Sequence, residues 1–213
     1  MKFVFNTQEK EAHRTIRRIM HTRLSNDNMP IFSKYGTRQD LIKCWEAMGY
    51  VSGVEIGTLR GEYAAKILTL APSVKLVCID PWEVYEHSKI TSERHIRNYE
   101  KAIAALSPFI KNKRCTIIKN KSESAVGTFP DGSLDFVYID GDHTFDAAAM
   151  DLILWSRKVR PGGMIALHDY IPTRRGGVIQ AVNAYVQCHN VLPWYVTREA
   201  LPTAFWIKAE SDY

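Results

Sequence analysis

Leu134-Asp135-Phe136-Val137-Tyr138-Ile139-Asp140-Gly141-Asp142-His143 is the stretch on which the fold turns. Its first six residues are almost continuously apolar, and a run that short and that apolar reads as a strand covered by helices on both faces. Its last four switch to acidic, flexible and imidazole-bearing residues, so reactive side chains gather where the strand ends. Runs of the same kind recur on either side: Val51 to Ile56, Lys75 to Ile79, Cys115 to Ile118, Met164 to Leu167, and two late ones near Trp194 to Thr197 and Ala204 to Lys208.

Helix-period segments separate these runs. Glu62 to Leu70 stops at Ala71-Pro72, and Thr37 followed by Asp40 marks a helix start ahead of Leu41 to Met48. After the central strand, Phe145, Ala148, Leu152, Trp155 and Val159 recur three or four residues apart, with Asp146, Asp151 and Arg157 off that stripe. Pro161-Gly162-Gly163 is expected to end this helix and turn into the next strand. Strand–helix alternation predicts a doubly wound α/β sheet. Residues 1–48 form an N-terminal helical lead to the sheet domain, residues 49–213. No helix fits between the last two strands, and the connection Arg198 to Thr203 suits a reversal, so the sheet should end in one antiparallel strand.

The chain has 213 residues, 28 Lys and Arg against 23 Asp and Glu, a net charge of +5, and 46% hydrophobic residues. That balance excludes a disordered chain, a fibre and a coiled-coil rod. No apolar run reaches the roughly 18 residues of a membrane helix, and the N-terminus carries no secretory pattern. Cys44, Cys78, Cys115 and Cys188 are far apart, with no CxxC pair, so the expectation is a cytoplasmic protein with reduced thiols. Basic residues concentrate in the first 43 positions, where a solvated helix face accounts for them as well as a phosphate partner does; nucleic acid is not the expected partner.

Four clusters carry chemistry. Glu55-Ile56-Gly57-Thr58-Leu59-Arg60-Gly61 leaves the first strand, and ligands of open α/β sheets bind beyond such carboxyl ends. It departs from GxGxxG, because Leu59 stands at the middle glycine, so a pyrophosphate cradle is disfavoured. Asp80-Pro81-Trp82 ends the second strand, where an acid can accept ribose hydroxyls and an indole can stack on a base. Asp140, Asp142, His143, His168 and Asp169 end two strands that a right-handed crossover makes neighbours. Acids brought together need a cation or protons between them, which leaves a divalent metal and a proton-transferring histidine as alternatives. Ser122, in Lys121-Ser122-Glu123-Ser124, lies on the same rim. Arg174 and Arg175 sit in a glycine-bearing loop suited to an anionic substrate, and Tyr35, Trp82, Tyr85, His87 and Tyr170 offer an aromatic acceptor pocket.

In order, EIGTLRGEYA, CIDPW, DGSLDFVYIDGDHTFDAAAMDL, RPGGMIALHDY and GGVIQAV resemble a class I S-adenosylmethionine-dependent methyltransferase. The branch most similar holds the macrocin-type sugar O-methyltransferases and the cephalosporin-hydroxylase-like proteins. The resemblance implies a Rossmann-like seven-stranded sheet of order 3-2-1-4-5-7-6, strand 7 antiparallel, with helices on both faces. It places Glu55, Gly57, Thr58 and Gly61 at the methionine end of the cofactor, Asp80 at the ribose, Pro81 and Trp82 by the adenine, and Ser122 at the adenine edge. Metal-dependent relatives carry ligands at the positions of Asp140, His168 and Asp169, with Asp or Glu more usual where His168 stands. The implied function is O-methylation of a small-molecule hydroxyl, with His143 as base, Asp140 in the catalytic set, and Mg2+ or another divalent cation assisting. A non-catalytic binding protein on the same fold and a metal-dependent oxidoreductase are the rival readings, and a homo-oligomer is allowed.

Overall fold

The computed structural model describes residues 6–23, 29–84, 90–172 and 176–210. Eight strands form one sheet: β1 (Ile31–Phe32), β2 (Ser52–Ile56), β3 (Lys75–Asp80), β4 (Cys115–Lys119), β5 (Leu134–Ile139), β6 (Val159–Leu167), β7 (Trp194–Val196) and β8 (Ala204–Ile207). Their spatial order is β1-β7-β8-β6-β5-β2-β3-β4. Without β1 this is the implied seven-strand order, and β8 runs antiparallel to both neighbours. The eighth strand corrects the expectation. Its two residues pair parallel to β7 and lengthen the sheet at an edge, too short a run to show any period.

The helices are α1 (Thr7–Met20), α2 (Arg38–Ala47), α3 (Glu62–Leu70), α4 (Ser92–Lys111), α5 (Ser122–Ala125), α6 (Phe145–Ser156) and α7 (Val178–Cys188). The period-2 alternation of strand side chains divides the core in two. Phe136 and Tyr138 of β5 join α1, α2 and α3 on one side, while Val137 and Ile139 join α6 and α7 on the other. The N-terminal lead shares the first cluster, contributing Ala12, Ile16, Met20, Leu41, Ile42 and Trp45. Trp45 stacks on Phe136 at 4.0 Å between ring centres. Gly53 makes room for that ring, since a Cβ there would lie 2.1 Å from it.

Two further expectations change. Pro161, Gly162 and Gly163 lie inside β6 rather than before it. The β5–β6 pairing slips there, from Leu134 opposite Val159 to Phe136 opposite Met164, because proline has no N–H for the ladder and Gly162 takes φ +75. In α6, Phe145 is exposed and Val159 belongs to β6, whereas Asp151 is buried beside Ala148, Leu152 and Trp155. Cys78 and Cys115, distant in sequence, meet across β3 and β4 with sulfurs 3.8 Å apart.

Candidate active site

Parallel strands β2, β3, β5 and β6 end on one rim, so their carboxyl-terminal residues converge. Gly57 turns the chain off β2 at φ +85, and a Cβ there would sit 2.0 Å from the Asp140 carbonyl oxygen. Its glycine is therefore demanded by the approach of two strand ends. Gly61, at φ +73, opens α3 and faces α4, where a Cβ would meet Leu106 and Ala102 at 3.2 and 3.3 Å.

Glu55 is the most unusual carboxyl on the rim. It is buried on β2, its Oε2 has no hydrogen-bond partner, and neither has Thr58 Oγ1. Burial pushes the Glu55 pKa up to about 8, opposed by the neighbouring Thr58 hydroxyl and assisted by the nearby charges of Asp140 and Asp80. Asp80 is buried as well, and that burial raises its pKa. Its Oδ2 accepts the Leu59 N–H at 2.9 Å and its Oδ1 the Trp82 N–H at 2.8 Å. The Trp82 indole N–H donates to the Leu59 carbonyl at 2.7 Å, and its ring tilts against Tyr99. Leu59, Asp80 and Trp82 thus lock the first two turns together around Pro81. The indole is 3% exposed, a wall of this rim rather than an open stacking platform.

At the ends of β5 and β6, Asp140, His143 and Asp169 come together with one ligand atom from each within 4.8 Å of the others. His143 Nε2 lies 3.4 Å from Asp140 Oδ1 and 3.2 Å from Asp169 Oδ2. The Gly177 N–H donates to the His143 carbonyl at 2.7 Å, which ties the start of α7 to this loop. Asp142 leaves the cluster: its Oδ1 accepts the Thr144 N–H at 2.8 Å and serves the turn into α6. Burial alone would raise the Asp140 pKa, but the imidazoles of His143 and His168 beside it override that and hold the group below the usual carboxylate value. Hydrogen bonding to Asp140 raises the His143 pKa in return.

His168 stands deeper. Its Nδ1 is 3.4 Å from Asp140 Oδ1 and 3.1 Å from Asp169 Oδ1, without hydrogen-bond alignment to either. Burial lowers its pKa, but Asp140 and Asp169 outweigh that and raise it to about 9. Arg38 acts the other way: its Nη1, a donor only, is 3.3 Å from Nε2. Among the described residues, the group whose ligand atoms lie close enough to hold a metal takes its imidazole from His143.

Two residues passed over in the sequence complete the rim. Arg38, carried on α2 from the N-terminal lead, reaches His168 and lies over the Tyr63 ring. Asp151 accepts a short hydrogen bond from Ser122, and burial pushes its pKa up to about 6. Asp151 was legible: three residues beyond Ala148 and four before Trp155, it belongs to the inward face of α6. Arg38 carried no local signal. Tyr35 is exposed and away from the rim contacts, pairing edge-on with His21, whereas Tyr170 packs on Trp194. Tyr85, His87, Arg174 and Arg175 lie outside the described residues.

A family model described as a methyltransferase domain matches residues 54–170, from Val54 on β2 through the Asp140 and Asp169 clusters to Tyr170. The chain belongs to this methyltransferase family. Among solved structures, the methyltransferase is similar to the O-methyltransferase TomG from Streptomyces achromogenes in complex with SAM, with TM-score 0.60, 13% identity, and coverage of 97% of this chain and 92% of that one. It is also similar to the O-methyltransferase from Bacillus cereus in complex with SAH, with TM-score 0.59, 14% identity, and coverage of 97% and 93%. Spermidine synthase from Thermotoga maritima shares the fold too, at TM-score 0.53 and 12% identity, over 77% of this chain and 55% of that one. The fold therefore does not choose the group transferred; the family match makes the chain an S-adenosylmethionine-dependent methyltransferase of class I. Among the described residues, no helix is long and apolar enough to cross a membrane.

Proposed function

We propose that the methyltransferase moves a methyl group from S-adenosylmethionine to a hydroxyl of a small molecule, a sugar or a phenol, with a divalent cation held by Asp140, His143 and Asp169. The observation that carries this reading is the convergence of two carboxylates and one imidazole nitrogen within 4.8 Å at the ends of β5 and β6. Oxygen-rich sets with a single imidazole suit Mg2+, Mn2+ or Fe2+. Such a cation, when bound, lowers the pKa of a hydroxyl placed against it.

The residues also fit the cofactor. Glu55 Oε2 and Thr58 Oγ1 are buried polar atoms without partners, suited to the ammonium group of a methionine. Asp80 is fixed by two backbone donors and keeps lone pairs for ribose hydroxyls. Ser122 and Asp151 supply polar atoms for an adenine edge, beside the wall made by Pro81 and Trp82. S-adenosylmethionine, when bound, would supply a methyl on a sulfonium: the S–CH3 bond would break as the O–C bond forms, S-adenosylhomocysteine would leave as the neutral thioether, and the hydroxyl proton would pass to solvent. Positioning behind that methyl carries much of the acceleration.

His143 serves here as a ligand more readily than as a base. Its Nε2 faces two carboxylate oxygens, and a lone pair so placed draws a cation or a proton before it can serve an acceptor hydroxyl. Four free thiols, three of them buried, support a reducing, cytoplasmic setting.

Calorimetric titration with S-adenosylhomocysteine, followed by Mn2+ binding read by electron paramagnetic resonance, tests the proposal. Micromolar binding of the first, and one Mn2+ per chain lost in Asp140→Asn and His143→Ala, are the expected results. Absence of S-adenosylhomocysteine binding would overturn the cofactor assignment. Mn2+ retained in both variants, or absent from the parent, would overturn the metal assignment alone.

A further inference from the structure

We propose that the outward face of α6 is the interface of a symmetric dimer, in which the α6 helices of two copies of this chain lie antiparallel. Of the twelve residues of α6, only Asp146, Asp151 and Ser156 are polar, and the last two are buried. A helix that is apolar on every side belongs in an interior. Yet the side of α6 away from Leu152 and Trp155 is open: Met150 is 50% and Ile153 52% exposed, with half-buried Ala149 and Leu154 beside them. Helix α7, packed next to it, contains no Asp, Glu, Lys or Arg, in a chain of which those residues make up 24%. Depletion of charge marks the centre of a protein interface.

The charges at the two ends of the open side identify its occupant. Asp146, Met150, Ile153 and Arg157 follow one another at spacings of four, three and four, so they share one face of the helix. Arg157, the cap residue, keeps helical backbone angles. A two-fold axis across the helix, midway between Met150 and Ile153, sets Met150 against the partner's Ile153 and Asp146 against the partner's Arg157, each contact made twice. A parallel pairing would put acid on acid and base on base. The antiparallel one also sets the positive end of each helix beside the negative end of the other. The same axis brings α7 against its own copy, which broadens the contact toward the roughly 800 Å2 per partner of a stable interface.

Both charged groups are available. Asp146 is exposed and, among the described residues, forms no ion pair. Arg157 is exposed and lies 3.5 Å from Asp131, which holds Lys158 closer, at 2.7 Å. Giving up an exposed contact of that length costs little, and Asp131 keeps a cation. A foreign partner would have to match this stripe; a second copy already does.

Sedimentation velocity of the full chain over a range of concentrations tests the interface. A monomer–dimer equilibrium in the micromolar range is expected. Ile153→Glu should weaken it roughly a hundredfold or more, because two uncompensated charges would then be buried. Asp146→Arg and Arg157→Asp should each weaken it about tenfold or more by setting like charges face to face. The double variant Asp146→Arg/Arg157→Asp should return to within about threefold of the parent, the mark of a direct pair. All three positions are exposed, and thermal melts identify any variant that loses the dimer by unfolding. A parent that stays monomeric at millimolar concentration would overturn the proposal and leave this face to a different partner. A dimer insensitive to Ile153→Glu would overturn the choice of face. Single charge reversals without effect, or a double reversal that restores nothing, would overturn the antiparallel pairing.

Discussion

Glu55 makes cofactor binding a proton-linked event. With a pKa of about 8 in the free protein, it is roughly 90% protonated at pH 7, because a one-unit gap between pH and pKa sets a ten-to-one ratio. An ammonium group placed against Oε2 favours the carboxylate and drives its pKa down. Binding of S-adenosylhomocysteine at pH 7 should therefore release about 0.9 proton, by linkage. The sign follows from the raised pKa: affinity is highest above pH 8 and falls as protonation competes. Between pH 8 and pH 6 the expected loss is about 50-fold, from the ratio of protonated to unprotonated populations at the two values. Calorimetry in buffers of different ionisation enthalpy measures the proton directly, as the slope of apparent enthalpy against buffer enthalpy. Glu55→Gln should abolish both the slope and the pH dependence, and weaken binding by about 2–4 kcal/mol, the cost of losing a charge-assisted bond in a buried site. A slope near zero for the parent protein, with affinity flat from pH 6 to pH 8, would refute the placement of the ammonium at Glu55.

Asp151 provides a second titration. Its pKa is raised to about 6 by burial, so its stabilising contribution is complete below the unfolded carboxyl value and is lost as pH rises through 6, a change on the order of 3 kcal/mol. Denaturant midpoints of Asp151→Asn should be flatter from pH 4 to pH 7 than those of the parent. Gly53→Ala, which drives a methyl into the Phe136 ring beneath Trp45, should cost roughly 1–3 kcal/mol of stability by overpacking, read by chemical denaturation. Trp82→Phe keeps an aromatic ring but removes the donor to the Leu59 carbonyl. It should lower stability by about 1 kcal/mol and weaken S-adenosylhomocysteine binding more than it changes Mn2+ binding.

Much of the site was legible because parallel strands end on one rim. Once β2, β3, β5 and β6 were read as neighbours, Glu55, Asp80, Asp140 and Asp169 had to share an edge, and they do. Periodicity was less exact for side chains. The helical count put Leu152 and Trp155 on the apolar stripe and Asp151 off it, yet Asp151 is buried beside them. Ser122 stays on the rim with a partner, Asp151, that sequence distance concealed. Asp142, similar in type to Asp140 and two residues away, turned to cap Thr144 instead, since a turn residue with a free backbone N–H beside it satisfies that donor first.

The sequence by itself determined the strand–helix alternation, the antiparallel last strand and the chemical character of the rim, because hydrophobic period and turn residues act locally. Contacts between remote segments were decided by the tertiary structure alone. Arg38 reaches His168 from the N-terminal lead, Cys78 meets Cys115 across two strands, and His143 comes within ion-pair distance of both Asp140 and Asp169. Which side chains meet at the rim depends on how remote elements pack. A residue's neighbours along the chain do not carry that information; the packing of α2 against the sheet does.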